Sequence, residues 1–113
     1  MFVSVLVRRL RPGKTYEDFV AAWYPEHGFG MPARVATASN VADEREILTF
    51  GMHDVDMTIE ELGEALAHIA EQEATRHDRI DAVVESTKVQ AIYEVRDRFD
   101  FSTDESVARG RPR

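Results

Sequence analysis

The segment AWYPEHGFG at residues 22–30 places a histidine beside a helix end and two glycines. Pro25 ends the preceding helix, because the residue before a proline disfavours the helical region, and the glycines give the backbone freedom to form a loop. Neither feature requires His27, whose side chain titrates near neutral pH and can serve as a general acid or base. We therefore predict that His27 is catalytic. The alternative is a protonated His27 that stabilises the helix C-terminus.

Aromatic side chains surround this histidine in the sequence. Ligand pockets are mostly apolar with a few placed polar groups. We therefore predict that Trp23 and Phe29 bind a substrate and that Tyr24 contributes a catalytic hydroxyl. Trp23 also shares a helical stripe with Tyr16 and Phe19, so core packing of Trp23 is the competing interpretation.

A second candidate pair lies on the later helix. At a turn of about 100° per residue, His77 and Glu73 fall on the same stripe as Ile59, Leu62 and Leu66. A glutamate and a histidine four residues apart form an acid–base pair or the start of a hydrogen-bond network. We predict that His77 is catalytic and that Glu73 binds substrate. If the helix ends before His77, both are surface residues.

The sequence contains no recognisable metal-binding motif. We therefore expect neither a metal nor a cofactor, although His27, Glu73 and His77 would together supply three ligands. Strand alternation places His53 on the same face as Thr49. Sequence alone leaves open whether that face meets the helices or a partner subunit.

Composition narrows the class of protein. The chain has 113 residues, which fits one domain, and is 43% hydrophobic and 31% charged. A net charge of −7 argues against a general nucleic-acid-binding surface. The lack of cysteine excludes disulfides, thiolate nucleophiles and cysteine-ligated metals. The sequence shows neither a signal peptide nor an apolar run near the ~20 residues of a membrane span, so we expect a cytoplasmic protein.

Hydrophobic patterning predicts the element order β-α-β-β-α-β. The strands are expected at residues 2–9, 34–41, 46–53 and 88–95, and the helices at residues 16–24 and from 58 to about 80. This order predicts a ferredoxin-like α+β sandwich, a four-stranded antiparallel sheet with two helices on one face. We expect residues 1–100 to form the domain and residues 101–113 to form a polar, flexible tail.

The first strand is apolar on both of its faces. Val3, Val5 and Val7 alternate with Phe2 and Leu6, so both faces of the sheet should be covered. Two helices on one face leave the other face bare, and a second copy of the chain is the simplest cover. The sequence therefore predicts a homodimer formed sheet to sheet.

The element order, the length of 113 residues and the segment FVAAWYPEHG resemble the dimeric α+β barrel superfamily. Trp23 and His27 match the tryptophan–histidine spacing of its ethyl tert-butyl ether degradation (EthD) family. Antibiotic-biosynthesis monooxygenases and stress-responsive barrel proteins share the fold. The resemblance implies a dimer with a pocket in each subunit, used for cofactor-free oxygenation of aromatic polyketides, for cyclisation or isomerisation, or for haem degradation. Haem-degrading members carry an asparagine on the first strand, where this chain has Ser4, so haem degradation is disfavoured.

Two functions are therefore expected from different classes. The first is a small-molecule enzyme or binder with its pocket between the helices and the sheet, specifically a cofactor-free oxygenase or cyclase acting on an aromatic, polyketide-like substrate. The second is a non-catalytic homodimer, stress-associated or ligand-sensing, whose histidines are structural. A small hydrophobic or aromatic ligand is the expected partner of the first.

The C-terminal residues Arg109, Gly110, Arg111 and Pro112 match the core of the AT-hook, which inserts arginines into A·T minor grooves. A single copy on an acidic protein is better interpreted as a short basic tail. Nucleic acid is therefore not an expected partner.

Overall fold

The computed structural model describes residues 1–26, 28–29 and 31–103 of the chain. Within these ranges the chain forms four strands and three helices. Their bounds are β1 Phe2–Leu10, α1 Tyr16–Trp23, β2 Arg34–Asn40, β3 Asp43–His53, α2 Ile59–His68, α3 Ala70–Asp81 and β4 Val84–Glu94. None of these helices is long and apolar enough to cross a membrane. Most of the predicted tail, including the AT-hook-like residues 109–112, lies outside the described residues, so its flexibility stays a prediction.

The strands form one antiparallel sheet in the order β2-β3-β1-β4. β1 lies in the middle of this sheet, where Leu6 pairs with Thr49 of β3 and with Gln90 of β4. The helices lie on one face, where they bury Leu10 and Ile47. This arrangement confirms the predicted ferredoxin-like α+β class.

A buried cluster joins α1 to the sheet. Phe19 is fully buried and packs with Leu10 and Ile47. Burial of a phenylalanine side chain contributes about 1.5–3 kcal/mol. The helix that carries Phe19 begins with a capping box: the Thr15 hydroxyl accepts from the Asp18 N–H, and the Asp18 carboxylate accepts from the Thr15 N–H. The cap therefore fixes where α1 starts and which of its residues enter the core.

The single helix predicted from residue 58 to about residue 80 is wrong, because α2 and α3 meet at a break at Ile69. Ile69 has φ −105° and ψ 7°, and its N–H donates to the Leu66 carbonyl at 3.2 Å, as in a tightened 3₁₀ turn. Regular bonding resumes where the Glu73 N–H donates to the Ile69 carbonyl at 2.9 Å. Neither glycine nor proline occurs between residues 65 and 73, so the sequence contains no helix-breaking residue at this point and its hydrophobic period continues across the break.

Strands β3 and β4 begin earlier than predicted, at Asp43 and Val84 rather than at residues 46 and 88. Asp43 pairs with Asn40 across a two-residue connection, and its carboxylate lies 2.6 Å from Arg9. Val84 pairs with Leu10 at the end of β1. The additional residues belong to the strands because their backbones pair with those of neighbouring strands, although their side chains are mostly polar.

The face of the sheet opposite the helices, here the open sheet face, has an apolar centre and a charged end, where Arg9 pairs with Glu46. Three cross-strand rows of four residues form the apolar centre: Arg34–Met52–Val3–Tyr93, Ala36–Phe50–Val5–Ala91 and Ala38–Leu48–Val7–Val89. Arg34 is the one charged residue in these rows. Leu48 and Tyr93 are 40% and 54% exposed. Contiguous exposed apolar surfaces of this kind are common at protein–protein interfaces.

Candidate functional site

A cavity of about 480 Å³ lies between the sheet and the three helices. Small-molecule sites span roughly 300–1,000 Å³. Its wall is mainly apolar and includes Leu6, Trp23, Phe29, Leu62, Leu66, Ile69 and Ile92. Polar side chains also line it, namely Ser4, Arg8, Thr49, His53, Glu73, Arg76, His77 and Gln90.

Strand alternation explains which sheet residues reach this cavity. Successive side chains on a strand point to opposite faces. Ser4, Leu6 and Arg8 therefore share the helix side of β1, and Thr49 and His53 share the same side of β3. The question that the sequence left open for His53 is settled in favour of the helices.

The C-terminus of α1 is fixed by an arginine from α3. The Arg76 guanidinium donates to the Trp23 carbonyl, forms an ion pair with the Glu73 carboxylate, and lies 5.5 Å and 5.4 Å from the ring centres of Trp23 and Phe29. Arg79 donates to the Ala22 carbonyl at 3.4 Å. Cations are favourable at a helix C-terminus, because its carbonyls are unpaired. Arg76 and Arg79 therefore cap the C-terminus of α1.

Glu73 and His77 line the cavity from one turn of α3. The Glu73 carboxylate is the more buried of the two, with its side chain 16% exposed, and lies 3.5 Å from His77 Nε2. The His77 side chain is 59% exposed. Glu73 therefore connects the buried Arg76 to a histidine at the solvent side of the cavity.

A second histidine lies deeper, on the sheet side of the cavity. His53 is 9% exposed, and its Nε2 lies 3.3 Å from the Ser4 hydroxyl. Gly51 makes room for this pair, because a Cβ atom at position 51 would lie 2.5 Å from Ser4 Oγ. Among the described residues, His53 Nδ1 has no hydrogen-bond partner. A group bound in the cavity could therefore pair with this free nitrogen.

Burial lowers the pKa of His53 from its ordinary value of 6.5, because desolvation disfavours the charged imidazolium. The unfolded chain then binds more protons than the folded one just below pH 6.5, so the stability contributed by neutral His53 is present above that pH and lost as the pH falls. We expect the unfolding free energy of His53→Gln to fall less between pH 7.5 and pH 5.5 than that of the wild type. Urea denaturation at both pH values measures this difference. Exposed His68→Gln is the control, and equal pH slopes in the two variants would contradict the prediction.

A buried arginine lies on β1 near the same cavity. Arg8 is 8% exposed and its guanidinium carbon lies 5.8 Å from the centre of the Phe19 ring. The pKa of Arg8 is lowered from its ordinary value, mainly by burial and also by the nearby positive charge of Arg76. The negative charge of Asp81 acts in the opposite direction. Arg8 Nη1 and Thr49 Oγ1 are buried without a hydrogen-bond partner among the described residues.

The structure brings four of the six predicted site residues together. Trp23, Phe29, Glu73 and His77 all line the cavity. Tyr24 is 62% exposed and is not among the described residues that line it, because α1 ends at Trp23 and the next side chain faces solvent. His27 lies outside the described residues. Their assigned roles stay predictions.

Sequence reasoning missed six polar residues of the cavity: Ser4, Arg8, Thr49, His53, Arg76 and Gln90. Ser4 and Arg8 share the alternation of Leu6, so the period of β1 could have placed them on the helix side. Arg76 gave no such signal, since its position depends on how α3 crosses the end of α1. Within the described ranges, no three histidine or acidic side chains converge on a potential metal site.

Comparison with known proteins defines the fold. No protein-family model and no curated protein matches this chain. A crystal structure from Chloroflexus aurantiacus, provisionally named an antibiotic biosynthesis monooxygenase, is similar, with a TM-score of 0.65 and 10% identity over 88% of this chain and 96% of that one. An uncharacterised NIPSNAP domain protein from Burkholderia xenovorans has a TM-score of 0.62 and 16% identity over 85% of this chain and 95% of that one.

A NIPSNAP family protein from Agrobacterium tumefaciens gives a third match, with a TM-score of 0.58 and 15% identity over 85% of this chain and 93% of that one. At such identities the likeness concerns the fold alone. The closer resemblance to the EthD family, drawn from Trp23 and His27, stays a prediction. The chain therefore has the ferredoxin-like α+β fold of these three solved structures.

Proposed function

We propose that this protein binds a small, apolar, aromatic molecule in the cavity between its helices and its sheet. The carrying observation is the cavity itself, about 480 Å³ in volume and lined by Trp23, Phe29 and aliphatic side chains. A pocket filled by its own side chains would favour a purely structural domain. An apolar cavity with a few polar groups is the default form of a ligand site.

The chemistry we propose is proton transfer without a cofactor. His53 is buried, and its lowered pKa leaves it neutral near pH 7. Its Nε2 is hydrogen-bonded to the adjacent Ser4 hydroxyl. A neutral imidazole accepts a proton from an acidic C–H or O–H of a bound phenol or polyketide. The resulting anion either attacks a carbonyl carbon of the same molecule and closes a ring, or transfers one electron to O₂, after which the substrate radical and superoxide combine into a peroxide. The proton held on His53 returns to the new alkoxide or peroxide oxygen, which gives a cyclase or a cofactor-free oxygenase. The sequence-predicted acid–base residues His27 and His77 belong to the same proposal.

We also propose that the protein is a homodimer joined through the open sheet face. Eleven of the twelve residues in its three rows are uncharged, and Phe50, Leu48 and Tyr93 add large apolar surfaces. A symmetric dimer would bring two copies of this face together. The cytoplasmic location expected from the sequence stays part of the proposal.

Fluorescence of Trp23 tests the binding step, because it is the sole tryptophan of the chain and lines the cavity. We expect phenols and two-ring aromatic molecules to change its emission with saturation. Leu6→Phe fills the middle of the cavity and should weaken binding of the two-ring molecules at least tenfold. Ala67→Phe, on the exposed side of α2, is the matched control. Equal affinities in the two variants, or an absence of saturable binding to the wild type, would contradict the proposal.

Oxygen consumption and product analysis, with a metal chelator present, test the chemical step. We expect turnover of any phenolic ligand that binds, and a large loss of turnover in His53→Gln with little change in affinity. Saturable binding without turnover by the wild type would instead favour the alternative function, a ligand-sensing homodimer.

A further inference from the structure

We infer that the ligand is an elongated apolar carboxylate whose acid group binds between Arg8 and Thr49 and whose far end reaches Ser4 and His53. This inference rests on the proposed function, since it names the substrate class of the same cavity. It is carried by buried polar atoms that have no partner within the described protein.

Arg8 is the main observation. Arg8 is only 8% exposed, yet its Nη1 has no hydrogen-bond partner among the described residues. A buried guanidinium without an anion is costly, and such charges are normally paired. In the described part of the chain no carboxylate lies within 4.0 Å of it, and Glu73, the acidic residue of the cavity wall, is paired with Arg76.

Thr49 adds a second buried polar group within reach of Arg8. It pairs with Leu6, which places it diagonally across from Arg8 on neighbouring strands, within the reach of a long side chain. Thr49 is 5% exposed and its hydroxyl has no partner in the described ranges. An arginine and a hydroxyl together can donate to the two oxygens of one carboxylate.

The charge balance of the wall supports an anion. The protein carries a formal net charge of −7, so an excess of positive charge in the cavity wall differs from the charge of the chain as a whole. Among the described wall residues, Arg8 and Arg76 face a single acidic side chain, Glu73. One bound carboxylate would neutralise the excess.

The other end of the cavity sets the length of the ligand. Ser4 lies four residues from Arg8 on the same face of β1, which is about 13 Å at the ordinary strand rise. Leu6 lies between them and gives an apolar floor. A rigid molecule of two or three fused rings, with its acid at Arg8, would present its opposite edge to His53.

A purely structural Arg8 is the competing explanation. Its stacking over Phe19 and the more distant charge of Asp81 both favour the cation. Neither supplies a hydrogen-bond acceptor to Nη1, and neither accounts for the unpaired Thr49 hydroxyl. A structural role also predicts no preference for acidic ligands.

Titration calorimetry with a matched series of probes separates these explanations. The probes are 2-naphthoate, its neutral amide and 2-naphthylmethylammonium, which share one ring system and differ in charge. For the wild type we expect the acid to bind at least tenfold tighter than the amide, and the cation to bind weakest. In Arg8→Met the preference for acid over amide should fall below threefold, Arg8→Lys should keep part of it, and Thr49→Val should reduce it less than Arg8→Met. Arg34→Met, on the open sheet face, is the matched control and should keep the full preference.

Equal affinity of the wild type for acid and amide would overturn the inference while leaving the proposed apolar site intact, even if Arg8→Met fails to fold. A preference for the acid that survives in folded Arg8→Met would also overturn it. If none of the three probes binds the wild type, both the inference and the proposed function fail.

Discussion

Arg76→Met is expected to lower the free energy of unfolding by about 3 kcal/mol, a large share of the roughly 5–15 kcal/mol that stabilises a typical domain. The Arg76 side chain is 11% exposed and connects three groups: the Trp23 carbonyl, the Glu73 carboxylate and the two aromatic rings of the cavity wall. Its removal leaves Glu73 buried without its guanidinium, and removal of one member of a buried pair costs more than the pair itself contributes.

The double variant Glu73→Gln/Arg76→Met tests this explanation. It should recover part of the lost stability, because the uncompensated carboxylate is gone. Arg79→Met is the matched control on the same helix. Its contacts with the Ala22 and Tyr24 carbonyls are both 3.4 Å long, so we expect a cost below about 1 kcal/mol. Urea denaturation measures all three, and a larger loss in Arg79→Met than in Arg76→Met would contradict our account of the α1 terminus.

Val5→Lys is expected to convert the proposed dimer into monomers. Val5 lies in the middle row of the open sheet face, between Phe50 on β3 and Ala91 on β4. A symmetric interface would bury two such lysines without partners, and burial of an unpaired charge costs several kcal/mol. We expect the dimer Kd to rise at least ~100-fold, which corresponds to about 2.8 kcal/mol.

Sedimentation velocity at several protein concentrations measures this effect. The wild type should sediment at twice the mass of one chain, and Val5→Lys at the mass of one chain. Ala67→Lys adds the same charge on the exposed side of α2 and should remain dimeric. A monomeric wild type, or a dimeric Val5→Lys with unchanged Kd, would exclude the open sheet face as the interface.

Much of the fold could be predicted because its elements have clear periods. Alternation of apolar residues along β1 and β3 defines both faces of the sheet, and Thr15 gives a capping signal at the start of α1. The break at Ile69 could not be predicted in the same way. It depends on a 3₁₀ turn formed by residues that are all compatible with a continuous helix.

Patterning could place side chains on both walls of the cavity, but it could not show which polar residues are buried without a partner. Trp23, Glu73 and His77 sit on amphipathic stripes, which point them towards the sheet whatever the tertiary details. Arg8 and His53 are polar residues inside strands, and their importance comes from burial without a partner, a property of three-dimensional packing. Arg76 both caps α1 and pairs with Glu73. The capping contact joins residues that are 53 positions apart in the sequence, so it also depends on three-dimensional packing.

An NMR titration of the ¹⁵N-labelled protein with 2-naphthoate tests the central claim most directly, because it locates the ligand as well as detecting it. We expect saturable shifts of the Trp23 indole and of the amides of Thr49 and His53, with the side-chain methyl groups of Val5 and Val7, on the open sheet face, nearly unchanged in a ¹³C-methyl-labelled sample. Shifts centred on the open sheet face, or an unaffected Trp23 indole at saturation, would show that the cavity is not the ligand site.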